Sequence, residues 1–345
     1  MDLTPAPSEE AVRAAVVEAS TVLPVGAGTH REVGGPVPDG TPVSAPAGIV
    51  AYDPAELTVT TWAGTTVAEL DAALGAHGQE CPLDPPDPRC TLGGLVAVGL
   101  SGHRRLRYGP LRDRVLEVRF VTGDGRVVRG GGPTVKNVTG FDLPRLLVGS
   151  FGTLGVLTRL IVRCQPRPRC ARWYRSGDDP ARLRARLVSP STVADAGAGA
   201  WVLLEGDPGD VEAQAEAASL RPAPDAPAWP EGPHRGRISV APARMDDLAA
   251  ALGRADGIGW LGEWGVGTVH VAADSEAALG AARAAATSVG GWLLREAGAP
   301  GLDGFGVAPA NLAVMTRVKA AFDPAGKLAP GRLPIPPVER HRQAS

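Results

Sequence analysis

The sequence lacks the features that would place the chain in a membrane, in a secretory pathway or around a metal cluster. Its first ten residues are acidic without an apolar core, unlike a signal peptide, and no run of about 20 apolar residues is present. The four cysteines, Cys81, Cys90, Cys164 and Cys170, include no Cys-x-x-Cys pair, which argues against a zinc or iron–sulfur site. We therefore expect a cytoplasmic protein with four free thiols.

The chain also lacks a charge excess of either sign. Its 345 residues include 35 basic and 37 acidic side chains, a formal net charge of −2, so no strong field attracts nucleic acid. With 44% hydrophobic and 21% charged residues, the composition is that of a globular protein long enough for two domains.

Glycine, by contrast, is abundant, and three glycine-rich segments stand beside strand-like apolar runs. Successive backbone amides in such loops form concave anion sites, and glycine lets the backbone approach a ligand closely. One such loop could be a tight turn, but three predict a large polar cofactor held mainly by main chain. The first two segments are Gly26, Ala27, Gly28, Thr29 and His30, and Thr91, Leu92, Gly93 and Gly94; the third has Gly140, Gly149, Gly152 and Gly155, with donors and acceptors from Lys136, Asn137, Thr139, Asp142 and Thr153.

The first of these loops does not have the dinucleotide fingerprint of a Rossmann domain. It reads Gly26-x-Gly28-x-x-Arg31, so the third glycine is missing. The run that follows, Gly34-Gly35-Pro36, cannot open a helix. We therefore do not expect a nicotinamide-binding Rossmann domain.

Periodicity and turn signals predict a mixed α+β chain with a boundary at the proline-rich break 165–168. The predicted domains are residues 1–165, residues 166–310, and a segment 311–345 that returns to the first domain. A β-hairpin is predicted at 115–128 and a surface loop at 221–236. Predicted helices are 8–20, 67–74, 180–187, 211–220, 245–254 and 275–288, and further strands are 155–162, 201–205, 237–240 and 267–272.

Taken together, the motifs resemble the FAD-binding domain of the vanillyl-alcohol-oxidase or para-cresol-methylhydroxylase type. The resemblance rests on the order and spacing of segments 91–94, 101–113, 135–143 and 152–155, and it returns weakly at 321–332. Within that superfamily the chain is most similar to the FAD-binding subunit of bacterial glycolate oxidase. The resemblance implies an α+β fold, with a two-subdomain FAD-binding domain followed by an α+β cap.

The resemblance also implies which residues hold FAD. Loops 26–30 and 91–94 would flank the diphosphate, and Ser101, Gly102 and Tyr108 would lie near the ribityl chain and flavin. The remaining contacts would be Lys136, Asn137, Val138, Gly140, Gly152, Leu154, Gly155 and Ile161, while Asp142 and Tyr108 have structural alternatives. His30 is followed by Arg31-Glu32, which departs from the family's covalent-attachment pattern, so we expect non-covalent FAD.

In the implied cap, segment 262–271 resembles the substrate strand of glycolate and lactate dehydrogenases. His270 is kept, but Trp264 stands where a second histidine is expected, and Val266 and Thr268 replace an acid and an asparagine. A 2-hydroxy acid needs a base for its hydroxyl proton and a cation for its carboxylate. His270 is therefore the catalytic candidate, Glu263 and nearby arginines are weaker ones, and a structural role for His270 is the alternative.

The implied function is that of the FAD-binding subunit of a 2-hydroxy-acid oxidoreductase. A sister flavoprotein subunit and an iron–sulfur subunit would be its partners, and any membrane association would come through them. Two alternatives stay open: a stand-alone FAD oxidase or dehydrogenase acting on another alcohol or acid, and a non-catalytic flavin-binding scaffold.

Overall fold

The computed structural model describes residues 7–35, 39–133 and 141–336. Packing divides the chain into two compact units. The first comprises residues 1–101, 110–166 and 308–345, and the second comprises residues 102–109 and 167–307. The sequence-based division kept 102–109 inside the first domain, whereas this short segment clusters with the second unit.

Helices and strands are interspersed along the described residues. Up to residue 166 the order is α1 (Pro7–Glu18), β1 (Val22–Pro24), β2 (Thr41–Val43), β3 (Ile49–Asp53), β4 (Thr58–Trp62), α2 (Val67–Gly75), β5 (Gln79–Glu80), α3 (Leu92–Val98), α4 (Arg105–Tyr108), β6 (Val115–Val121), β7 (Val127–Gly131), α5 (Leu143–Leu147), β8 (Val156–Arg163) and β9 (Gln165–Pro166). It continues with β10 (Cys170–Ser176), α6 (Pro180–Arg186), β11 (Thr192–Asp195), β12 (Ala200–Gly206), α7 (Pro208–Ala217), β13 (Arg221–Ala223), β14 (His234–Ser239), α8 (Met245–Leu252), β15 (Ile258–Glu263), β16 (Thr268–Ala273), α9 (Glu276–Ser288), β17 (Trp292–Ala297) and α10 (Leu312–Phe322).

The first unit is built on a five-stranded antiparallel sheet in the order β3-β4-β8-β6-β7. The predicted hairpin is confirmed as β6 and β7, and its turn places Gly125 at φ 83°, a conformation that favours glycine. The predicted helix at 67–74 is confirmed as α2. It begins at a capping box, in which Thr66 accepts from the Glu69 amide and the Glu69 carboxylate accepts from the Thr66 amide.

A short parallel pair brings the C-terminal segment back to the start of the first unit. β1 pairs with β2, and Leu328 forms a parallel bridge to Val22 on β1. The Val22 amide donates to the Lys327 carbonyl at 2.8 Å, and the Ala329 amide donates to the Val22 carbonyl at 2.9 Å. β1 leads directly into the first glycine-rich loop, so the C-terminal segment helps to hold the base of that loop.

The second unit is an eight-stranded antiparallel sheet in the order β13-β10-β12-β11-β15-β16-β14-β17. Helices α6 to α9 supply Leu183, Val211, Leu248 and Leu279 to its core. Alternate strand residues, such as Val269 and Val271 on β16, enter the same core, so the residues between them lie on the opposite face.

The sequence-based elements of this unit are confirmed for α6 to α9, β12, β14 and β16, but four strands were not predicted. These four are β11, β13, β15 and β17. β15 and β17 carry glycine, tryptophan or arginine at positions where simple alternation expects apolar residues, and β11 is only four residues long. The predicted loop 221–236 is wrong at both ends, because residues 221–223 and 234–236 belong to β13 and β14. Pairing with neighbouring strands recruits these polar segments into the sheet.

No helix in the three described ranges has both the length and the apolar character of a membrane span. The prediction of free thiols is confirmed, because all four cysteines are unpaired and buried. Burial raises the pKa of both Cys90 and Cys164 to about 12.

These thiols should be unreactive in the folded protein. At pH 8 a pKa of about 12 leaves a thiolate fraction of about one in ten thousand, and only the thiolate attacks a disulfide reagent. We expect an aromatic disulfide reagent to label no cysteine in the native chain and all four in denaturant. Fast labelling of a native thiol would show that its burial is incomplete.

Candidate functional site

A cleft in the first unit brings the glycine-rich segments together. Its walls come from the loop after β1, the first turn of α3, the segment before β8 and the C-terminal segment. Ten of the predicted cofactor residues line it, namely Gly26, Ala27, Gly28, Thr29, His30, Thr91, Gly93, Gly94, Gly152 and Gly155. Segments separated by more than 120 residues in the sequence therefore share one site.

Close backbone packing explains several of these glycines. A Cβ atom on Gly26 would lie 2.1 Å from the Thr91 hydroxyl oxygen, so these two segments touch only because residue 26 has no side chain. Gly152 has a φ of 72°, and a Cβ there would lie 2.8 Å from Cγ of Pro24. The first and third glycine-rich segments thus pack against each other through Pro24 and Gly152.

The first loop presents its backbone amides to the cleft. Within the described ranges, the amides of residues 26–29 donate to no protein acceptor. Backbone amides in folded proteins nearly always have a protein, water or ligand partner, and a row of them in one loop is a typical binding site for a diphosphate. The loop therefore supplies donors that a phosphate-bearing ligand would complete.

Positive charge adjoins these amides. His30, Arg31 and Arg332 line the cleft. The Arg332 guanidinium donates to the Val33 carbonyl at 2.7 Å and also to the Arg31 carbonyl. Arg332 therefore holds the segment after the first loop while it adds charge complementary to a diphosphate.

A buried lysine connects the cleft walls. Lys319 on α10 donates through Nζ to the Thr153 carbonyl at 2.7 Å, to the Leu328 carbonyl at 2.8 Å and to the Asp323 carboxylate at 2.5 Å. Burial lowers the pKa of Lys319, and the neighbouring Asp323 carboxylate opposes that shift. Asp323 also accepts from the Leu328 amide at 2.8 Å, so one ion pair holds both the third glycine-rich segment and the C-terminal segment.

The other predicted cofactor residues are distributed differently. Leu92, Leu154 and Ile161 are buried, but none of the three is among the described residues that line the cleft. Asp142 caps α5 by accepting from the Arg145 amide at 3.0 Å, and Ser101 accepts from the Leu111 amide at 3.0 Å. Gly102 and Tyr108 belong to the second unit. Lys136, Asn137, Val138 and Gly140 lie outside the described residues.

Sequence reasoning missed several lining residues, including Pro24, Gly64, Phe151 and Arg332. Phe151 has a φ of 53°, and Ala329, also in the lining, has a φ of 40°, both in the region that favours glycine. Phe151, Ala329 and Arg332 belong to motifs that the sequence showed, but no spacing rule points to their orientation. Gly64 belongs to none of these motifs, and only the tertiary packing shows that it lines the cleft.

A second group of polar residues lies within the second unit. His270 on β16 and Glu263 at the end of β15 are buried, and His103 from segment 102–109 is buried beside them. Burial and the nearby Arg237 hold the pKa of His270 well below its usual range. Burial raises the pKa of Glu263, against the opposing effect of His103. At neutral pH the His270 imidazole is therefore uncharged and can accept a proton.

Trp264, which replaces an expected histidine, has a structural role here. Its side chain is buried in the helix-covered core, and its Nε1 donates to the Asp246 carboxylate on α8 at 2.9 Å. In the described part of the chain, no three His, Cys, Asp or Glu residues are arranged to hold a metal ion.

Comparison with known proteins agrees with the geometry of the cleft. The sequence model of a family described as FAD binding domain matches residues 5–131. A solved structure of alkyldihydroxyacetonephosphate synthase superposes with a TM-score of 0.68 and 16% sequence identity, covering 94% of this chain and 74% of that one. At that identity the likeness shows the fold alone.

Curated relatives match over part of the chain. The glycolate oxidase subunit GlcE of Escherichia coli is 38% identical over 217 residues, which are 60% of this chain and 62% of the relative. The D-lactate dehydrogenase of Archaeoglobus fulgidus is 43% identical over 107 residues, or 31% of this chain and 24% of the relative. The glycolate oxidase subunit GlcD of Bacillus subtilis is 38% identical over 121 residues, or 35% of this chain and 26% of the relative. The chain thus spans less than two thirds of each.

These findings confirm an FAD-binding domain of the para-cresol-methylhydroxylase type, in an α+β chain similar to FAD-dependent oxidoreductases. The cleft suits this cofactor. The amides of residues 26–29, which have no protein acceptor in the described part of the chain, and the adjacent Arg332 are donors of the kind that a diphosphate accepts, and Val25, Val43 and Leu157 add apolar surface to the cleft.

Two glycine substitutions test whether the cleft holds FAD. Gly152→Val forces a β-branched residue to a φ of 72° and into Pro24, and Gly94→Val puts a Cβ 3.1 Å from the Thr91 hydroxyl oxygen and extends a larger side chain into the cleft. We expect both variants to lose FAD, measured as the flavin absorbance that co-purifies with folded protein.

The matched control is Gly177→Val, because Gly177 is exposed, has no left-handed φ and has no neighbouring atom within 4 Å of the position that a Cβ would take. It should keep its full FAD content. Normal FAD content in both cleft variants would show that these loops are ordinary turns.

Lys319→Met tests the ion pair that connects the cleft walls. Removing the ammonium leaves the buried Asp323 carboxylate without its cation, which should lower the free energy of unfolding by about 3 kcal/mol. FAD should also bind more weakly, because the carbonyls of Thr153 and Leu328 lose their common donor. Urea unfolding and FAD titration of the apoprotein measure the two effects. Arg317→Met, at an exposed position of the same helix, is the control, and equal behaviour of the two variants would refute the role of Lys319.

Proposed function

We propose that this chain is the FAD-binding subunit of an oxidoreductase that acts on a small 2-hydroxy acid. The observation that carries the proposal is the cleft in which three glycine-rich segments meet, where the amides of residues 26–29 have no protein acceptor in the ranges that the structure describes. The similarity to a glycolate oxidase subunit and to a D-lactate dehydrogenase supports the substrate class. When bound, FAD would supply the redox chemistry by accepting a hydride from the α-carbon.

The residues of the first unit would bind and orient the cofactor. Residues 26–30 and 93–94 would hold the diphosphate through their amides, and Gly152 and Gly155 would allow the backbone to approach it. The same proposal retains Ser101, Leu154, Ile161 and the residues 136–140 as contacts to more distant parts of FAD. His30 forms a hydrogen bond to the neighbouring Thr29 side chain at 2.9 Å, which fits a loop residue and non-covalent FAD.

In the second unit His270 would accept the proton of the substrate hydroxyl at Nε2. Its burial keeps the imidazole uncharged at neutral pH, so the acceptor is available, although the low pKa makes it a weak base. Trp264 and Val266 cannot supply the second histidine and the acid that the resemblance implies. The second unit therefore provides fewer catalytic groups than the family pattern has, as the sequence indicated.

Because the second unit lacks the second histidine and the acid, we propose that partner subunits complete the activity. The names of two relatives describe subunits of glycolate oxidase, and we propose that this chain likewise works with a sister flavoprotein and an iron–sulfur subunit in the cytoplasm. Its own cysteines are buried and separate, so an iron–sulfur cluster would belong to the partner.

The second candidate is a flavin-binding scaffold or electron-relay subunit without its own substrate chemistry. The structural role of Trp264, whose indole is hydrogen-bonded to Asp246, favours it, because the position of an expected catalytic histidine serves packing instead. The two candidates differ in whether a substrate reduces flavin bound to this chain.

The purified chain should be yellow, and acid or heat should release intact FAD. In the assembled complex glycolate should reduce the flavin under anaerobic conditions, whereas the chain alone should react slowly or not at all. If His270 is the base, His270→Ala should slow reduction about 100-fold, the usual scale for a lost general base, without changing FAD content.

Two outcomes would contradict parts of the proposal, and a third would separate the two candidates. A colourless chain that FAD cannot reconstitute contradicts FAD binding altogether. Flavin that stays with the denatured protein contradicts non-covalent binding. Flavin on this chain that no 2-hydroxy acid reduces, even in the complex, favours the scaffold.

A further inference from the structure

One edge of the sheet in the first unit is exposed and apolar. β3 is the last strand on this side of the sheet, and among the described residues it pairs with β4 alone. Residues 47–51 are all exposed, and none of them carries a charge. Ile49 and Val50 are 38% and 41% exposed, although side chains of this kind are usually buried. We call residues 48–53 the β3 edge.

The opposite edge of the same sheet is protected. A free strand edge presents a row of N–H and C=O groups that can pair with a foreign strand, and proteins block such edges with charge, proline or a covering segment. On β7 the exposed Arg129 lies 2.6 Å from the Glu117 carboxylate. Helix α5 packs against the same strand, because a Cβ on Gly130 would lie 2.4 Å from Cβ of Leu143. β7 therefore has both a charge and a covering helix.

The two edges of the sheet in the second unit are protected as well. β13 carries an exposed arginine and an exposed proline, Arg221 and Pro222. On β17 the Arg295 amide donates to the Gly304 carbonyl at 2.8 Å, so the segment after the strand covers this edge. Of the four edges that these two sheets form in the described part of the chain, the β3 edge is thus the one that has no charge, proline or cover along residues 48–52.

The register of β3 shows which of its side chains share a face. Ile49 pairs with Thr61, and Tyr52 pairs with Val59. Thr61 and Val59 are two positions apart on β4, so Ile49 and Tyr52 lie on the same face of the sheet. An irregularity in the pairing leaves Val50 as an extra residue of β3, as in a β-bulge. The β3 edge therefore presents an isoleucine and a tyrosine side by side on one face.

Tyr52 is held in place within the first unit. Its hydroxyl donates to Gln79 Oε1 at 2.8 Å, and its ring meets the His77 ring edge-to-face with centroids 5.0 Å apart. The Gln79 amide group in turn donates to the Pro54 carbonyl at 2.8 Å. A side chain that is already fixed loses little conformational entropy on binding, and aromatic side chains are typical anchors of protein interfaces. Tyr52 is thus a preorganised aromatic contact at this edge.

We propose that the β3 edge pairs with the β3 edge of a second copy of this chain, antiparallel and about a two-fold axis at Ala51. This register places Ile49 opposite Tyr52 of the second copy, and an aromatic ring opposite a β-branched side chain is a favourable cross-strand pair. It also places Asp53 opposite Gly48 of the second copy, so each carboxylate faces a glycine. The two five-stranded sheets would then continue across the interface as one.

The composition of the β3 edge favours a copy of itself as the partner. A two-fold interface requires a surface that is complementary to itself, and a charge near the axis would face the same charge. The one charged residue of the edge is Asp53, at the end of the strand, so the two carboxylates lie at opposite ends of the paired strands. The small side chain of Ala51 at the axis lets the two backbones approach to about 4.8 Å, the spacing of paired strands.

The test measures the oligomeric state of the FAD-loaded full chain by sedimentation velocity over a range of protein concentrations. The wild type should form a dimer. Ala51→Lys, at an exposed position, places two ammonium groups opposite each other at the axis. It should raise the dimer dissociation constant about fivefold or more, the scale of one unfavourable cross-strand charge pair. Val188→Lys adds the same charge at a valine that is 76% exposed and lies outside the strands, and it should dimerise like the wild type.

A mixture of variants identifies the partner strand. Ala51→Asp should weaken the dimer for the same reason as Ala51→Lys. An equal mixture of the two variants should restore it, because the two-fold axis places residue 51 of one copy opposite residue 51 of the other. A general disturbance of the strand would not be repaired in this way. The flavin absorbance of each preparation shows that the first unit of each variant is folded.

Three results would overturn the inference. The first is a wild type that is monomeric at every concentration tested. The second is a dimer with the same dissociation constant in the wild type and both Ala51 variants, which would place the interface elsewhere. The third is a dimer that both variants lose and their mixture does not regain, which would show that the β3 edge does not pair with itself.

Discussion

The buried contact between Lys319 and Asp323 is the interaction on which the cofactor cleft depends. A single ammonium group, donating to two carbonyls and one carboxylate, joins α10, the third glycine-rich segment and the C-terminal segment. The C-terminal segment in turn pairs with β1, from which the first glycine-rich loop emerges. Burying a lysine costs free energy unless every proton has an acceptor, and here three acceptors are present.

The two units carry their polar groups in different ways. In the first unit glycines let the backbone of separate loops approach each other around the cleft, and the amides of residues 26–29 have no protein acceptor among the described residues. In the second unit side chains carry the polarity, on the face of the sheet that the helices do not cover. Amide groups keep their polarity at every pH, whereas His270 and Glu263 have pKa values that their burial has shifted. The buried polar group of the second unit is therefore the one whose charge depends on pH.

Much of the cleft lining could be predicted from local sequence, since ten of the predicted cofactor residues line it. Glycine-rich loops beside strands carry their own signal, because the absence of a Cβ has the same consequence in any fold. Other residues show the limit of this reasoning. Ser101 and Asp142 turned out to accept backbone hydrogen bonds that shape turns and helix starts, and Gly102 and Tyr108 belong to the second unit. A motif shows that such residues lie close to the glycine-rich segments along the sequence. Their hydrogen-bond partners and the packing of the folded chain determine where their side chains lie.

The sequence by itself determined the α+β composition, the three glycine-rich segments and the FAD-binding domain, because these depend on local periodicity and on residues with special backbone freedom. Only the tertiary structure decided which distant groups meet. Lys319 reaches Thr153 across 166 residues, and His103 lies 3.6 Å from Glu263 although 160 positions separate them. No local pattern encodes such pairs, because burial and electrostatic complementarity act only after the chain has folded and removed these side chains from water.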